Sequence, residues 1–230
     1  MRILFLDQSS QLGGAELCLA DIATHFQSLE SGSTPQNAVT QTSDQSLVAV
    51  FTEGDFPEYL RQRQILVKIL ADQSLQVQKN SGIGAGLRSL NRLIPMILSV
   101  TQLAKDYDLI YANTQKALVV GAIASLLSQR PLVYHLHDIV SSEHFSAINR
   151  RIIVTLANQA ALIIANSMAS RDAFIAAGGK GDRTHIVYNG FHPEVYSKSL
   201  SNTHLIDQQV RQHFHCDNAF IIGHFSRLSP

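Results

Sequence analysis

The sequence predicts a doubly wound, Rossmann-like α/β fold with a mostly parallel sheet of seven strands. Three observations lead there. Short runs of Val, Ile and Leu alternate with longer helical patterns, the rhythm of βαβ units. The short runs are almost continuously apolar, as in strands covered by helices on both faces. Several of them end in glycines or polar residues just where a helix opens.

Strands are expected at 2–7, 47–52, 65–70, 108–113, 132–136, 161–166 and 185–188, and helices at 15–29, 87–104, 115–127, 147–158 and 168–177. The first strand runs into Gln8-Ser9-Ser10-Gln11-Leu12-Gly13-Gly14, and its helix opens at Ala15-Glu16. Residues 28–46 are rich in Ser, Thr and Gln with little apolar anchorage, and read as a mobile surface insertion. The helix at 87–104 gathers Leu87, Leu90, Ile94, Ile97, Leu98 and Thr101 on one side, and Pro95 is expected to kink or interrupt it. Packing against the sheet is the ordinary use of such a stripe; contact with a lipid surface is the other. Ser167 suits an N-cap, and Asn189-Gly190 a positive-φ turn after the seventh strand. Beyond it, 193–202 reads as linker, 206–214 as helix and 219–224 as another buried strand. The chain then ends at Ser229-Pro230, as though cut where a second domain begins. The expected domains are 1–195 and, truncated, 196–230.

Composition narrows the function. Lys+Arg and Asp+Glu both count 18, net charge is zero and the pI is about 7.2, so no nucleic-acid footprint is present. Charged residues are 16% and hydrophobic ones 45%, ample for a core. Two cysteines, Cys18 and Cys216, make no disulfide framework and point to a reduced, cytoplasmic setting. The N-terminal apolar run 3–6 is too short for a secretory signal. The longest greasy stretch, 117–127, falls below the ~18–20 residues that span a bilayer.

Two places carry chemistry. Gly13-Gly14, between strand and helix, allow close approach of backbone to a ligand, and the helix N-terminus offers unpaired N–H groups suited to phosphate. The G-x-G-x-x-G dinucleotide fingerprint is absent there, and the alternate glycines Gly82, Gly84 and Gly86 read as loop. The second place is His135-Leu136-His137-Asp138 at the end of the fifth strand, the edge where open α/β sheets bind ligands. The two imidazoles share a strand face if the strand extends that far, and can bond sugar hydroxyls or phosphate. Structural use, with one buried and one surface histidine, is the plainer alternative. A metal-dependent hydrolase built on His135, His137 and Asp138 is another, and a stand-alone ligand-binding module a third.

Taken in order, Gly13-Gly14-Ala15-Glu16, His137-Asp138, Ala165-Asn166-Ser167, Val187-Tyr188-Asn189-Gly190-Phe191 and the tail 222–230 resemble the N-terminal half of a family-4 glycosyltransferase with the GT-B fold. Ser226 stands where that family usually has Gly before Arg227. The resemblance implies retaining transfer of a sugar from a nucleotide-diphosphate sugar to a glycan or lipid-linked acceptor, with no metal or further cofactor and with peripheral membrane contact on the cytoplasmic face. It implies that His137 and Asp138 are catalytic. Gly13, Gly14, Glu16, Asn189, Gly190 and Arg227 are then donor-binding, with Arg227 offsetting the leaving diphosphate. The family's later Lys and paired glutamates are missing from these 230 residues, so this chain alone is expected to fold without catalysing.

Overall fold

A computed structural model describes residues 1–31, 46–70, 83–190 and 203–216. The chain divides into two compact units, Met1–Asn189 and Gly190–Pro230. The first holds strands β1 (Ile3–Asp7), β2 (Leu47–Val50), β3 (Val67–Ile69), β4 (Leu109–Ala112), β5 (Leu132–Leu136), β6 (Leu162–Ala165) and β7 (Thr184–Ile186). They form one seven-stranded sheet in the order β3-β2-β1-β4-β5-β6-β7, with every neighbouring pair parallel. The expected strands are thus all present: β5 matches, β7 starts one residue earlier and ends two sooner than expected, and the others are trimmed by one to three residues.

Helices α1 (Gly14–Ser31), α2 (Asp55–Gln62), α3 (Ile83–Ala104), α4 (Gln115–Ser128), α5 (Ala147–Ala157) and α6 (Met168–Ala176) connect them. The alternation of side chains along each strand divides the core in two. Ile3, Phe5, Val48, Val50 and Tyr111 pack with Leu19, Ala20 and Ala23 of α1 and Phe56 and Leu60 of α2. Leu4, Leu6, Ala49, Ile110, Ala112, Tyr134 and Leu136 take the other side, with Val100, Leu118, Val120, Ile153 and Phe174. That double cover is why the strands read as unbroken apolar runs.

Four expectations need correction. The segment 28–46 is shorter than expected at both ends: α1 runs on to Ser31, and Ser46 is buried. Ser46 Oγ accepts the Ile3 N–H at 3.1 Å, satisfying a donor at the start of β1 that water cannot reach. Residues 32–45 lie outside the described residues. Second, α2 was not expected, although Phe56 and Leu60 at helical spacing and Pro57 in the first turn mark it. Third, Gly84 and Gly86 fall in the opening of α3 rather than in a loop. Fourth, α3 continues through Pro95 without interruption. The apolar residues of α3 cover more than one stripe of the helix, so two candidate faces compete. The one that packs inward carries Leu93, Met96, Ile97, Val100 and Ala104, while Ile94 and Leu98 face outward at 49% and 59% exposure. Burial of that inner stripe offsets the single backbone hydrogen bond that Pro95 cannot donate.

The expected cap at Ser167 is present, its Oγ accepting from Ser170 N at 3.1 Å. Among the described residues no helix is long and apolar enough to cross a membrane. In the second unit, α7 (Thr203–Phe214) contains the helix expected at 206–214, with an Arg211–Asp207 ion pair at 2.9 Å along it. The expected linker at 193–202 and strand at 219–224 lie outside the described residues.

Gly54 locks the loop after β2 against the loop after β1. Its φ of +156° and ψ of −164° belong to a region open only to glycine, and a Cβ there would stand 2.3 Å from the Ser10 carbonyl oxygen. That carbonyl accepts Phe56 N–H at 3.1 Å. Gly54→Ala should therefore cost about 1–3 kcal/mol, read as a lowered urea midpoint with unchanged m-value.

Candidate functional site

Strand order reverses between β1 and β4, since β2 and β3 lie on one side of β1 and β4 to β7 on the other. The crevice at the carboxyl ends of such a pair is where open α/β sheets take ligands. Asp7 closes β1 there, and Asn113 follows β4 directly; both are completely buried. Asn113 Nδ2 donates to Asp7 Oδ2 at 2.7 Å and to the Ala15 carbonyl oxygen, in the first turn of α1, at 3.1 Å. On its other side, Asn113 Oδ1 lies 2.9 Å from His137 Nε2. One amide thus joins β1, the start of α1 and the residue that follows β5.

The two histidines stand on one face, ring centroids 3.9 Å apart and planes tilted by 37°. His135 is buried and its Nδ1 lies 2.7 Å from the Tyr111 hydroxyl, while its buried Nε2 has no partner among the described residues. It matches the plainer reading of a core histidine. Burial holds His135 down to about 3, the neighbouring His137 adding to the effect. Burial also lowers His137 to about 4, against the pull of Asp138. Both imidazoles are neutral at physiological pH. Asp7 moves the other way, raised to about 6 chiefly by burial, although the Ser9 N–H and Asn113 amide it accepts favour its charge.

Asp138, next to His137 in the chain, is exposed and turns elsewhere: its Oδ2 accepts from Gln115 Nε2 at 3.0 Å, at the start of α4. The adjacent pair makes no Asp–His hydrogen bond. Asn166, closing β6, donates from Nδ2 to the His137 carbonyl oxygen at 3.2 Å and accepts from Ser170 Oγ at 2.9 Å. The peptide carrying His137 is held from both sides. Among the described residues no three of His, Cys, Asp and Glu converge as metal ligands.

The glycine loop lies on the same rim. Gly13 carbonyl accepts Leu17 N–H at 3.0 Å and starts α1. A Cβ at Gly14 would meet nothing within 4 Å, whereas one at Gly13 would stand 2.6 Å from Glu16 Oε2. The Glu16 carboxylate is therefore folded back over the loop, where the helix dipole favours it. Asn189 reaches α1 as well, its Oδ1 accepting from Cys18 Sγ at 3.5 Å. The positive-φ turn expected at Asn189-Gly190 is not formed, neither residue having a positive φ; Gly190 opens the second unit, and Arg227 lies outside the described residues.

The family model described as Glycosyltransferase Family 4 matches residues 48–195, well over half of the chain. The chain belongs to glycosyltransferase family 4. Among solved structures, this family-4 chain is similar to HepE of Anabaena in complex with UDP-glucose, with 47% identity, a TM-score of 0.75, and coverage of 100% of this chain and 54% of that one. It therefore spans about half the length of HepE. The lipopolysaccharide outer core galactosyltransferase WaaB shares the fold at 16% identity and a TM-score of 0.56, over 83% of this chain and 46% of that one. So does the UDP-GlcNAc 2-epimerase of Neisseria meningitidis bound to UDP-GlcNAc, at 17% and 0.52, over 93% and 53%. No curated protein sequence matches.

Asp7 and Asn113 were not singled out in the sequence, and Asn166 was noted only as a junction. Each is a lone polar residue closing an otherwise apolar strand, the one signal that marks them, and the sheet order that makes them neighbours is not written locally.

The site makes stability pH-dependent. As pH falls below about 6.5, the unfolded chain protonates its histidines before the folded chain does, so the stability present above that value is lost towards about 4. Asp7 opposes this, because the folded state takes up its proton near 6 and the unfolded state nearer 3.8. Urea midpoints should fall on acidification through this window, less steeply in His137→Gln and more steeply in Asp7→Asn.

Proposed function

We propose that this chain is part of a glycosyltransferase that moves a hexose, most simply glucose, from its UDP derivative to an acceptor hydroxyl, with retention at the anomeric carbon. The observation that carries the reading is the Asn113 amide, which touches both Ala15 and His137 and so puts a helix N-terminus and an imidazole on one rim at the switch point. The support from outside the chain is HepE, 47% identical, whose structure holds UDP-glucose.

Each group has a chemical task in this reading. The N–H groups of Gly14, Ala15 and Glu16 have no acceptor within α1 and face the donor phosphates, the dipole adding about 0.3–1 kcal/mol. The open space beside Gly14 admits them. Neutral His137 bonds a hydroxyl of the transferred sugar. The Glu16 carboxylate is an acceptor for sugar or ribose hydroxyls, and its charge keeps the phosphates on the Gly14 side of the loop. Asp138, bonded to Gln115, contributes a negative field near the anomeric centre. Asn189 lies at the start of α1 beside the donor. The resemblance gives Gly190 a donor-binding part and Arg227 the neutralisation of diphosphate, as the C1–O bond to it breaks, the acceptor oxygen bonds C1 on the same face and the acceptor's proton passes to the departing phosphate oxygen.

The hydrolase alternative is the weaker one: His135 Nδ1 and His137 Nε2 are engaged by Tyr111 and Asn113, and Asp138 turns to Gln115. We propose no metal and no cofactor beyond the sugar nucleotide. An acceptor carried on a lipid, met at the cytoplasmic face of a membrane, suits the outward Ile94 and Leu98, one helical turn apart. The free thiols of Cys18 and Cys216 suit a cytoplasmic setting.

Calorimetric titration of the 230-residue chain tests the reading. UDP-glucose should bind measurably and GDP-mannose more weakly, and His137→Ala should weaken UDP-glucose about tenfold, the worth of one buried hydrogen bond. No turnover of UDP-glucose is expected from these residues alone. Stoichiometric zinc in protein purified without added metal would favour the hydrolase.

A further inference from the structure

The orientation of the Asn113 side chain follows from its neighbours. Its amide nitrogen is identified by the Ala15 carbonyl oxygen 3.1 Å away, because a main-chain carbonyl only accepts. Asp7 Oδ2, at 2.7 Å from the same atom, agrees. The remaining atom is Oδ1, which also only accepts, and it lies 2.9 Å from His137 Nε2. Nε2 must then carry a hydrogen. A neutral imidazole has one N–H, so Nδ1 bears a lone pair; the side-chain hydrogen bond of His137 among the described residues is the one at Nε2.

We propose that Asp7 and Asn113 are positioning residues that hold His137 as its Nε2–H tautomer, so that Nδ1 is a preset acceptor for a hydroxyl of the bound sugar. The proposal rests on the reading of this rim as a sugar-nucleotide site. It deepens that reading by saying which atom meets the sugar and what sets its polarity. Asp7 acts through Asn113, and Asn113 through the ring. The anchor on Ala15 ties the same amide to the helix that faces the phosphates, so one side chain aligns both halves of the donor. Because all these bonds are present before the ligand arrives, binding requires no tautomer exchange or amide flip. A preset acceptor also discriminates: a sugar lacking that hydroxyl leaves a lone pair desolvated and unpaired.

Long-range proton–nitrogen NMR of the uniformly labelled chain at pH 7 reads the tautomer directly, with His137→Gln assigning the signals. The expected pattern has Nε2 protonated and Nδ1 bare; a protonated Nδ1 overturns the proposal. In Asn113→Ala the two tautomers should both be populated, whereas Asn113→Gln, which keeps an amide with both a donor and an acceptor, should restore the single form. An unchanged tautomer in folded Asn113→Ala overturns the orienting role; should that variant fail to fold, the wild-type spectrum and Asn113→Gln decide. Titrations separate the sugar contact: His137→Ala should weaken UDP-glucose about tenfold with UDP little affected, and equal losses for both overturn the assignment of Nδ1 to the sugar. Wild-type protein that shows the expected tautomer but binds neither UDP nor UDP-glucose would overturn the sugar-nucleotide reading and leave the orienting role standing.

Discussion

A buried hydrogen bond across the reversal of strand order, from Asn113 Nδ2 to Asp7 Oδ2 at 2.7 Å, is the constraint on which the rest of the site depends. A carboxylate taken out of water is costly unless several donors meet it, and Asp7 accepts most closely from the Ser9 N–H and the Asn113 amide. Each does something besides stabilising charge. The Ser9 bond bends the chain out of β1 into the glycine loop, an Asx-type turn. The Asn113 bond fixes the amide that in turn holds Ala15 and His137. Removing either donor leaves a fully buried oxygen short of a partner, which ordinarily costs about 1–3 kcal/mol. Loop, helix and imidazole are therefore coupled through one polar network.

The parallel sheet supplies the geometry that makes this network feasible. Strands β1, β4 and β5 run side by side in the same direction, so their carboxyl ends arrive at one edge with Asp7, Asn113 and His137 at or just past their ends. Their largely apolar bodies face a core sealed on both sides, the buried Tyr111–His135 pair excepted, and the other polar groups of the site stand where the pleat runs out. Gly54 extends the same logic to the loops, letting the turn after β2 brace Ser10 without a side chain between them. The site is built on strand ends and made precise by what lies behind them.

How much of this was legible in the sequence follows from which signals are local. Strand positions were legible, because burial on both faces writes itself as Val/Ile/Leu runs that need no neighbour to interpret. The helix α2 and the inward stripe of α3 were not: the first is short, and the second belongs to a helix whose apolar arc is wider than one stripe, where tertiary contact chooses which part of the arc packs inward. His137 was legible as a histidine at a strand end. Its partners were not, since Asp7 and Asn113 are 106 positions apart and become neighbours only through a crossover that places β4 beside β1. The Ser46 contact with Ile3 was hidden for the same reason, a polar residue in a polar stretch whose partner lies 43 positions away.

The protonation states decide what kind of chemistry such a rim can support. His135 at about 3 and His137 at about 4 are bare imidazoles at neutral pH, and their rings lie too close to share a positive charge comfortably. Neither is a reservoir of protons for a leaving group. Asp7, Glu16 and Asp138 bring negative charge to the same neighbourhood, and Glu16 already pushes the Asp7 pKa upward. In the proposed reading, a diphosphate here would have backbone N–H groups as its favourable partners and would gain little from these side chains. Transfer that needs the growing charge of a departing nucleotide neutralised must then draw cations from outside this rim, the role that the resemblance gives to Arg227. In the proposed reading, the rim would contribute a fixed acceptor for a hydroxyl and a helix end for phosphate, and would leave the push on the leaving group to other residues.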